Sequence, residues 1–257
     1  MGLLAIGLMP APASSAPGGP GPTLVDRAEE CDEKIPAVYS TSTTGANIPL
    51  DVVVLLDGVA QTDATEIMTS AGESYAPLGI TLVPQYRKLA PPAKATTTTT
   101  TTTTAEPGAM IAAAKAAVAG VRPTGTDVVY LMTTKDLVMP QNGVQNDVAG
   151  YADCIGGIRY PNRAFAVGEA IESPVPVGPV TFYEDGPAKT AAHEIGHLLG
   201  ARHEHANCAE GIQPNDVSGL DPTPCTVMTD FLDLQSSNFG AIEGRIIRGY
   251  TQAFGAS

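Results

Sequence analysis

The histidines of this chain are concentrated in one short segment: all four lie between positions 193 and 205. His193 and His197 are four residues apart, so on an α-helix they lie one turn above each other, with Cβ atoms about 5–6 Å apart. Their two imidazoles can then point at one position and chelate a metal ion. Glu194 follows the first histidine, which places a carboxylate beside the ion, within reach of a water molecule on it. The spacing therefore predicts a metal site on a helix, with Glu194 as a base.

Gly200 supplies the turn that a third ligand needs. A helix that ends and turns back requires a residue able to adopt a positive φ, and glycine does so at little steric cost. The turned chain can then deliver His203 to the same ion. Three imidazoles, from His193, His197 and His203, leave one position open, which is typical of catalytic Zn²⁺, whereas structural zinc is usually closed by four protein ligands. His205 is outside this pattern, and we expect it at the surface or beside the ligands.

Segment 193–203 resembles the long zinc signature of the metzincin metallopeptidases, H-E-x-x-H-x-x-G-x-x-H, at every fixed position. Metzincins also carry a methionine in a tight turn beneath the metal, and Met228 is the candidate here. The resemblance is closest to the reprolysin or adamalysin-like group. In that group one cysteine follows the third histidine and another precedes the methionine, as Cys208 and Cys225 do in this chain.

The resemblance implies a zinc-dependent endopeptidase, in which Glu194 deprotonates a zinc-bound water and passes the proton to the leaving amine. Peptides or proteins would be the substrates, and Met228 would form an apolar floor under the ion. Glu204 departs from the group, which usually has Asp at that position, and is more like the astacins. Asp230 departs in turn from the astacins and serralysins, which have a zinc-reaching tyrosine there. The alternative is a secreted, non-catalytic binding protein on the same fold, although such proteins usually lose the glutamate or a ligand.

Four cysteines allow three pairings. We expect Cys208 to pair with Cys225 below the metal, and Cys31 with Cys154, which would tie the N-terminal arm to the body. Such disulfides would persist in an oxidising compartment. One alternative is four reduced thiols in a cytosolic protein, and another is a Cys31 thiolate that occupies the open zinc position and keeps the site latent. Residues 1–16 combine a short apolar core at 3–9 with small-residue cleavage sites, but no Lys or Arg precedes that core. The segment is therefore either a truncated signal peptide, which we favour, or an apolar tail. We therefore expect a secreted protein.

The composition excludes several partners. The formal net charge is −13, which argues against binding to nucleic acid or to an anionic membrane surface. The sequence contains no run of 18 apolar residues, so no transmembrane helix is expected. A hydrophobic content of 43% over 257 residues is enough for a sizeable core. We expect a monomer built around one catalytic unit.

Apolar and β-branched segments bounded by turn residues predict the strands. These segments are 48–57, 80–86, 126–134, 150–158 and 164–171. Helices are predicted at 63–76 with Thr62 or Asp63 as its cap, at 108–119 after Pro107, from about 186 through the histidine signature, and at 236–254. The signature helix should pack on the sheet through an apolar face made of Ala191, Ala192, Ile195, Leu198 and Leu199. Because a strand, a helix and a strand follow each other in the first half, part of the sheet should be parallel.

These elements predict an α/β (α+β) fold: a twisted, mixed five-stranded sheet with two long helices and the active-site helix, then a small irregular C-terminal subdomain ending in a helix. By resemblance the fold is of the metzincin type, and 150–158 is the antiparallel edge that pairs with substrate, with Gly156 and Gly157 allowing close backbone approach. The alternative for this segment is a plain edge strand weakened by its glycines. We expect a catalytic domain at 46–257, divided into 46–200 and 201–257, after an N-terminal arm at 17–45. The nine consecutive threonines at 96–104 predict a flexible surface insertion.

Overall fold

The computed structural model describes residues 30–31, 38–90, 104–141, 144–171, 174–177, 180–183, 185–203, 226–229 and 237–256. Their strands are β1 (Ile48–Asp57), β2 (Ile80–Lys88), β3 (Thr104–Ala105), β4 (Val128–Thr133), β5 (Asp136–Gln141), β6 (Val144–Asp147), β7 (Gly150–Ala152), β8 (Phe165–Glu169), β9 (Pro174–Val177) and β10 (Val180–Tyr183). Their helices are α1 (Gln61–Tyr75), α2 (Pro107–Ala117), α3 (Gly186–Leu198) and α4 (Ala241–Phe254).

A five-stranded sheet with the order β2-β1-β4-β8-β7 forms the centre of the fold. The first four strands are parallel, and β7 is antiparallel to β8 at one edge. Parallel strands are buried on both faces, so they read as continuous apolar runs, as the Val and Leu run of β1 does. The prediction of a mixed five-stranded sheet is confirmed.

Alternate side chains of β1 enter two separate cores. Val52, Val54 and Leu56 pack with α1, α3 and α4 on one face, whereas Val53 and Leu55 pack with α2 on the other. The predicted apolar face of α3 is confirmed, because its members are fully buried in the first core: Ala191, Ala192, Ile195, Leu198 and Leu199. This contact holds α3 in a fixed position on the sheet.

Two helices begin elsewhere than the sequence predicts. Helix α1 starts at Gln61 with Ala60 as its N-cap and no side-chain capping bond. Neither predicted cap is used, because the Thr62 hydroxyl donates to Asp63 (2.9 Å) and both lie inside the first turn. Helix α4 starts at Ala241, five residues later than predicted. Residues just before it are held by the rest of the chain, since the Asn238 carbonyl accepts the N–H of Val227 (2.9 Å).

The predicted strand 150–158 is only partly correct. Strand β7 ends at Ala152, and a 3₁₀ turn occupies Gly157–Arg159. Gly156 has a φ of 81° and donates its N–H to the His197 carbonyl (2.8 Å), so this part of the chain leaves the sheet and turns towards the end of α3. The two glycines therefore do not lie in the edge strand, and the expectation that they approach substrate there is wrong.

Several short strands escaped prediction. The β5–β6 and β9–β10 pairs are antiparallel, and β5 and β9 contain prolines, which sequence rules count against strands. Of the threonine run only Thr104 belongs to the described residues, as the first residue of β3. Segment 1–16 lies outside them, and the division of the catalytic domain at residue 200 remains a prediction. None of the described helices is both long and apolar enough to span a bilayer.

Arg248 joins α4 to the start of the central sheet. Its side chain is only 3% exposed, and its guanidinium donates to the carbonyls of Leu78 (2.6 Å) and Ala46 (2.8 Å). A third, longer hydrogen bond reaches the Gly79 carbonyl at 3.3 Å. One planar group with several donors therefore satisfies carbonyls from the turns before β1 and β2.

We predict that Arg248→Lys destabilises the protein by about 2–4 kcal/mol, because a single ammonium cannot reach all these carbonyls and leaves buried acceptors unsatisfied. Urea unfolding measures the change. Arg245→Lys is the matched control, since that arginine belongs to the same helix and is exposed, and its stability should equal that of the wild type. Equal unfolding midpoints for the two variants would show that the Arg248 contacts contribute nothing to stability.

Candidate metal centre

Three imidazoles converge at the C-terminal end of α3. His193 and His197 are fully buried on the helix, and His203, half-buried, follows it. Their Nε2 atoms form a triangle, with separations of 2.9 Å (His193 to His197), 3.0 Å (His193 to His203) and 3.1 Å (His197 to His203). The structure thus brings together the three residues that the sequence predicts as metal ligands.

Backbone carbonyls define the tautomers of the two helical ligands. The Nδ1–H of His193 donates to the Val227 carbonyl (2.6 Å), and the Nδ1–H of His197 donates to the Ala201 carbonyl (2.9 Å). A carbonyl can only accept, so in each neutral ring the proton is on Nδ1 and the Nε2 atom is an unprotonated acceptor. Two acceptors facing each other at 2.9 Å repel unless a cation lies between them. This arrangement fits a metal ion.

The donor set also fits zinc in particular. With Zn–N bonds of about 2.0–2.1 Å in a tetrahedral site, ligand nitrogens lie about 3.3–3.4 Å apart, within a few tenths of an ångström of the observed separations. Burial, followed by the neighbouring rings of His197 and His203, holds the pKa of His193 well below its usual range. Burial and the His203 ring lower the pKa of His197 to about 3. Both rings are therefore neutral near pH 7, as metal ligation requires.

Gly200 forms the predicted turn. Its φ is 89°, its N–H donates to the His197 carbonyl (2.8 Å), and the Ala201 N–H donates to the Gly196 carbonyl (3.0 Å). These two bonds define a Schellman motif, in which a left-handed residue ends the helix. A side chain at this position would also collide with Tyr250 of α4, whose ring atoms lie 2.7–2.9 Å from where a Cβ would be. Glycine is thus required for two separate reasons.

Met228 lies in the turn 226–229, whose Val227 carbonyl binds His193. It is fully buried, and a Cβ at Gly196 would lie 3.0 Å from its sulfur and 3.1 Å from the ring of Phe239. Gly196 lies between the two ligand histidines along α3, so the thioether packs against the helix at that level. This position is compatible with the expected apolar floor, and that role remains a prediction.

Glu194 is fully buried between α3 and the edge strand. A Cβ at Gly150, the first residue of β7, would lie 2.8 Å from both the Cγ and the Oε1 atom of Glu194. The missing side chain of Gly150 therefore leaves the space that the carboxylate occupies. The predicted base stands on the same helix as two ligands and against the strand at which the resemblance places the substrate.

The N-terminal arm is covalently attached near this site. Cys31 and Cys154 form a disulfide with Cα atoms 5.0 Å apart, so this predicted pair is confirmed and the alternative of a Cys31 thiolate on the zinc is wrong. Glu30, beside it, forms an ion pair with Arg202 (2.5 Å), the residue before the third ligand. The other predicted positions of the site lie outside the described residues: Glu204, His205, Cys208, Cys225 and Asp230.

Sequence reasoning missed the groups that orient the ligands. The carbonyls of Val227 and Ala201 carry no sequence signal, because every residue has such a group. In the sequence, nothing distinguishes Tyr250 from the other apolar residues of an amphipathic helix, so its contact with position 200 could not be predicted. Gly150 does carry a signal, since a glycine inside a strand often marks a close approach of another group.

A fold of this kind with three convergent histidines beside a glutamate defines a metallopeptidase-like site. The family model described as "Metallo-peptidase family M12B Reprolysin-like" matches residues 63–204, just over half of the chain. The chain therefore belongs to the reprolysin-like M12B metallopeptidases, and the predicted zinc cofactor fits its histidine triad. No match was found among curated proteins.

Two solved structures are similar to this chain. Archaemetzincin from Methanopyrus kandleri is similar over 81% of this chain and 97% of its own, with a TM-score of 0.51 and 19% sequence identity. Metalloproteinase-II from Bacteroides fragilis is similar over 80% of this chain and 55% of its own, with a TM-score of 0.48 and 16% identity. The similarity to archaemetzincin confirms the predicted metzincin-type fold.

We predict that Gly200→Ala lowers zinc affinity about 10–100-fold, because the new methyl group meets the Tyr250 ring and displaces the turn that carries His203. Competition with a chelating dye measures the affinity. Gly120→Ala is the matched control, since Gly120 has a similar φ of 86° and nothing within 4 Å of its Cβ position. Equal zinc affinities for the two variants would mean that the Tyr250 contact does not position the third ligand.

Proposed function

We propose that this metallopeptidase is a secreted, zinc-dependent endopeptidase whose catalytic base is Glu194. The observation that carries the proposal is the convergence of three imidazoles next to a buried glutamate, which stands on the same helix as two of them. Membership of a peptidase family implies peptide substrates. Bound by His193, His197 and His203, zinc would supply a Lewis acid that acidifies a water molecule and polarises the scissile carbonyl.

Each residue of the site would have a separate role in hydrolysis. Glu194 would accept a proton from the attacking water and then deliver it to the nitrogen of the leaving amine. His193 and His197 would keep their orientation throughout, because the Val227 and Ala201 carbonyls hold their Nδ1–H groups. Burial of the carboxylate strengthens its electrostatic interactions, since the surrounding dielectric constant is lower than that of water.

The position of β7 supports cleavage within a chain. This strand is at the edge of the sheet, antiparallel to β8, and its first residue lies against Glu194. An extended peptide aligned with β7 would pass the base with residues on both sides of the scissile bond, as peptide addition to a sheet edge allows. We therefore propose an endopeptidase in preference to an enzyme that removes terminal residues.

Secretion is proposed on the basis of the cysteines. The Cys31–Cys154 disulfide joins segments that are 123 residues apart in the sequence, and such bonds persist in extracellular and other oxidising compartments. We further propose that the enzyme acts as a monomer, because all three predicted zinc ligands and the base come from one chain.

We predict that Glu194→Gln lowers kcat about 10²–10⁴-fold and retains one zinc per chain, because the amide cannot accept the proton of the water. Cleavage of a library of peptides blocked at both termini, followed by mass spectrometry, measures internal hydrolysis. Glu66→Gln, at an exposed position of α1, is the matched control and should cleave like the wild type.

The same assay tests the metal and the alternative function. Phenanthroline should abolish cleavage and added zinc should restore it. Wild-type rates in Glu194→Gln would show that another group is the base. A zinc-loaded wild type that cleaves none of the blocked peptides would instead support a non-catalytic binding protein on this fold.

We also predict that alkylation under denaturing, non-reducing conditions labels no cysteine, since Cys31 is bonded to Cys154 and Cys208 is expected to bond Cys225. Intact-mass spectrometry counts the adducts, and the same sample after reduction, with four adducts, is the control. Four adducts without reduction would contradict both the disulfides and the proposed secretion. Two adducts without reduction would support the Cys31–Cys154 bond and contradict the expected Cys208–Cys225 bond.

A further inference from the structure

Two glycines face each other across the β7–β8 ladder, where Gly150 pairs with Gly168. On the side of α3, a Cβ at Gly150 would lie 2.7 Å from the Thr190 methyl group and 2.8 Å from Glu194 Oε1. A Cβ at Gly168 would lie 3.0 Å from the same methyl group and would overlap the hydroxyl of Tyr130. We call this pair of glycines the glycine notch. The notch therefore brings the Tyr130 hydroxyl and the Glu194 carboxylate within a few ångströms of the same methyl group.

The Tyr130 hydroxyl is a buried donor that the fold does not use. Tyr130 is fully buried in β4, and within the described part of the chain its hydroxyl has no hydrogen-bond partner. Buried hydroxyls are almost always bonded, because leaving one unsatisfied is unfavourable. Burial first, and the Glu194 charge second, raise the pKa of Tyr130 well above its usual value. The hydroxyl therefore keeps its proton and can donate a hydrogen bond.

A second carboxylate, that of Glu169, also raises the pKa of Tyr130, but it belongs to the other face of the sheet. Side chains alternate along β8, so Phe165, Val167 and Glu169 share the face covered by α2, whereas Gly168 faces α3. Glu169 also accepts the N–H of Leu137 of β5 (2.5 Å). Glu194 is thus the carboxylate on the same face as the Tyr130 hydroxyl.

We propose that Tyr130 is a positioning residue for Glu194, and that its hydroxyl donates across the glycine notch to the carboxylate and fixes the orientation in which Glu194 accepts a proton. The contact forms directly, by rotation of the carboxylate, or through one buried water, and both routes are common for polar groups in active sites. The inference rests on the proposed role of Glu194 as base. It also explains why glycine occupies both positions of the ladder pair.

Tyr130→Phe is expected to lower kcat about 10–100-fold, the usual effect of removing a group that orients a catalytic residue. KM, zinc content and the thermal unfolding midpoint should remain those of the wild type. Tyr75→Phe is the matched control: Tyr75 is equally buried, and the Glu194 charge also raises its pKa, but its hydroxyl already donates to the Ala192 carbonyl (2.7 Å). That variant should lose stability and keep kcat.

Infrared spectroscopy tests the contact independently of turnover. The difference between the zinc-loaded wild type and Glu194→Gln isolates the carboxylate band of Glu194, which a hydrogen bond shifts. This band should move in Tyr130→Phe and stay in place in Tyr75→Phe. If the band shifts but the wild type cleaves no peptide, the contact is supported and the proposed function is contradicted. An unshifted band, or an unchanged kcat in an active enzyme, would overturn the inference.

A double-mutant cycle tests the notch itself. Gly168→Ala should strongly destabilise the protein, because the new methyl group overlaps the Tyr130 hydroxyl. Adding Tyr130→Phe should recover part of the loss, since it removes the overlap with the hydroxyl and leaves only the tight contacts with ring carbon Cζ and the Thr190 methyl group, both at 3.0 Å. The unfolding midpoints of the two single variants and the double variant measure this coupling. Strictly additive losses would show that the hydroxyl does not lie in the notch, and would overturn the inference.

Discussion

The site depends on the repulsion between imidazole nitrogens that point at one another. The Nε2 atoms of the three histidines lie within 3.1 Å of each other, and two of them are acceptors because carbonyls hold the protons on the opposite nitrogens. Such an arrangement is favourable only with a cation among the three nitrogens, and the surrounding structure defines the positions of the rings. A metal ion bound there would offset the repulsion, so the fold and the metal affinity are linked.

The surrounding structure defines the site from three directions. Helix α3 is held against the sheet by its apolar face, which positions His193 and His197. The Val227 carbonyl accepts a hydrogen bond from one ligand ring. The Val227 N–H donates to the Asn238 carbonyl, which holds this turn in place. Helix α4 supports the end of α3, because the Tyr250 ring lies where any side chain at position 200 would be. The third ligand is therefore placed by a helix that begins 38 residues after it.

Elements with strong local signals were predicted well. β1 was predicted to the residue, because a long apolar run between turn residues leaves little choice. The start of α3 was also correct, since proline suits the first turn of a helix. The prediction that the strand continues after Ala152 was wrong, because the Gly156 N–H donates to the His197 carbonyl and the nearby Cys154 forms a disulfide with Cys31. These are long-range contacts, which no local pattern contains.

The sequence by itself identified the three candidate ligands, the candidate base and the turn, because their spacing follows from the period of one helix and from the conformational freedom of Gly200. It also identified Zn²⁺, since three imidazoles beside a carboxylate suit that ion. Only the tertiary structure decided which carbonyls set the ligand tautomers, which strand approaches Glu194, and that the Tyr130 hydroxyl lies beside the glycine notch. The physical reason is that, except for the Ala201 carbonyl, these groups come from β4, β7, β8 and the turn at 226–229, and folding alone brings such distant parts of the chain within a few ångströms.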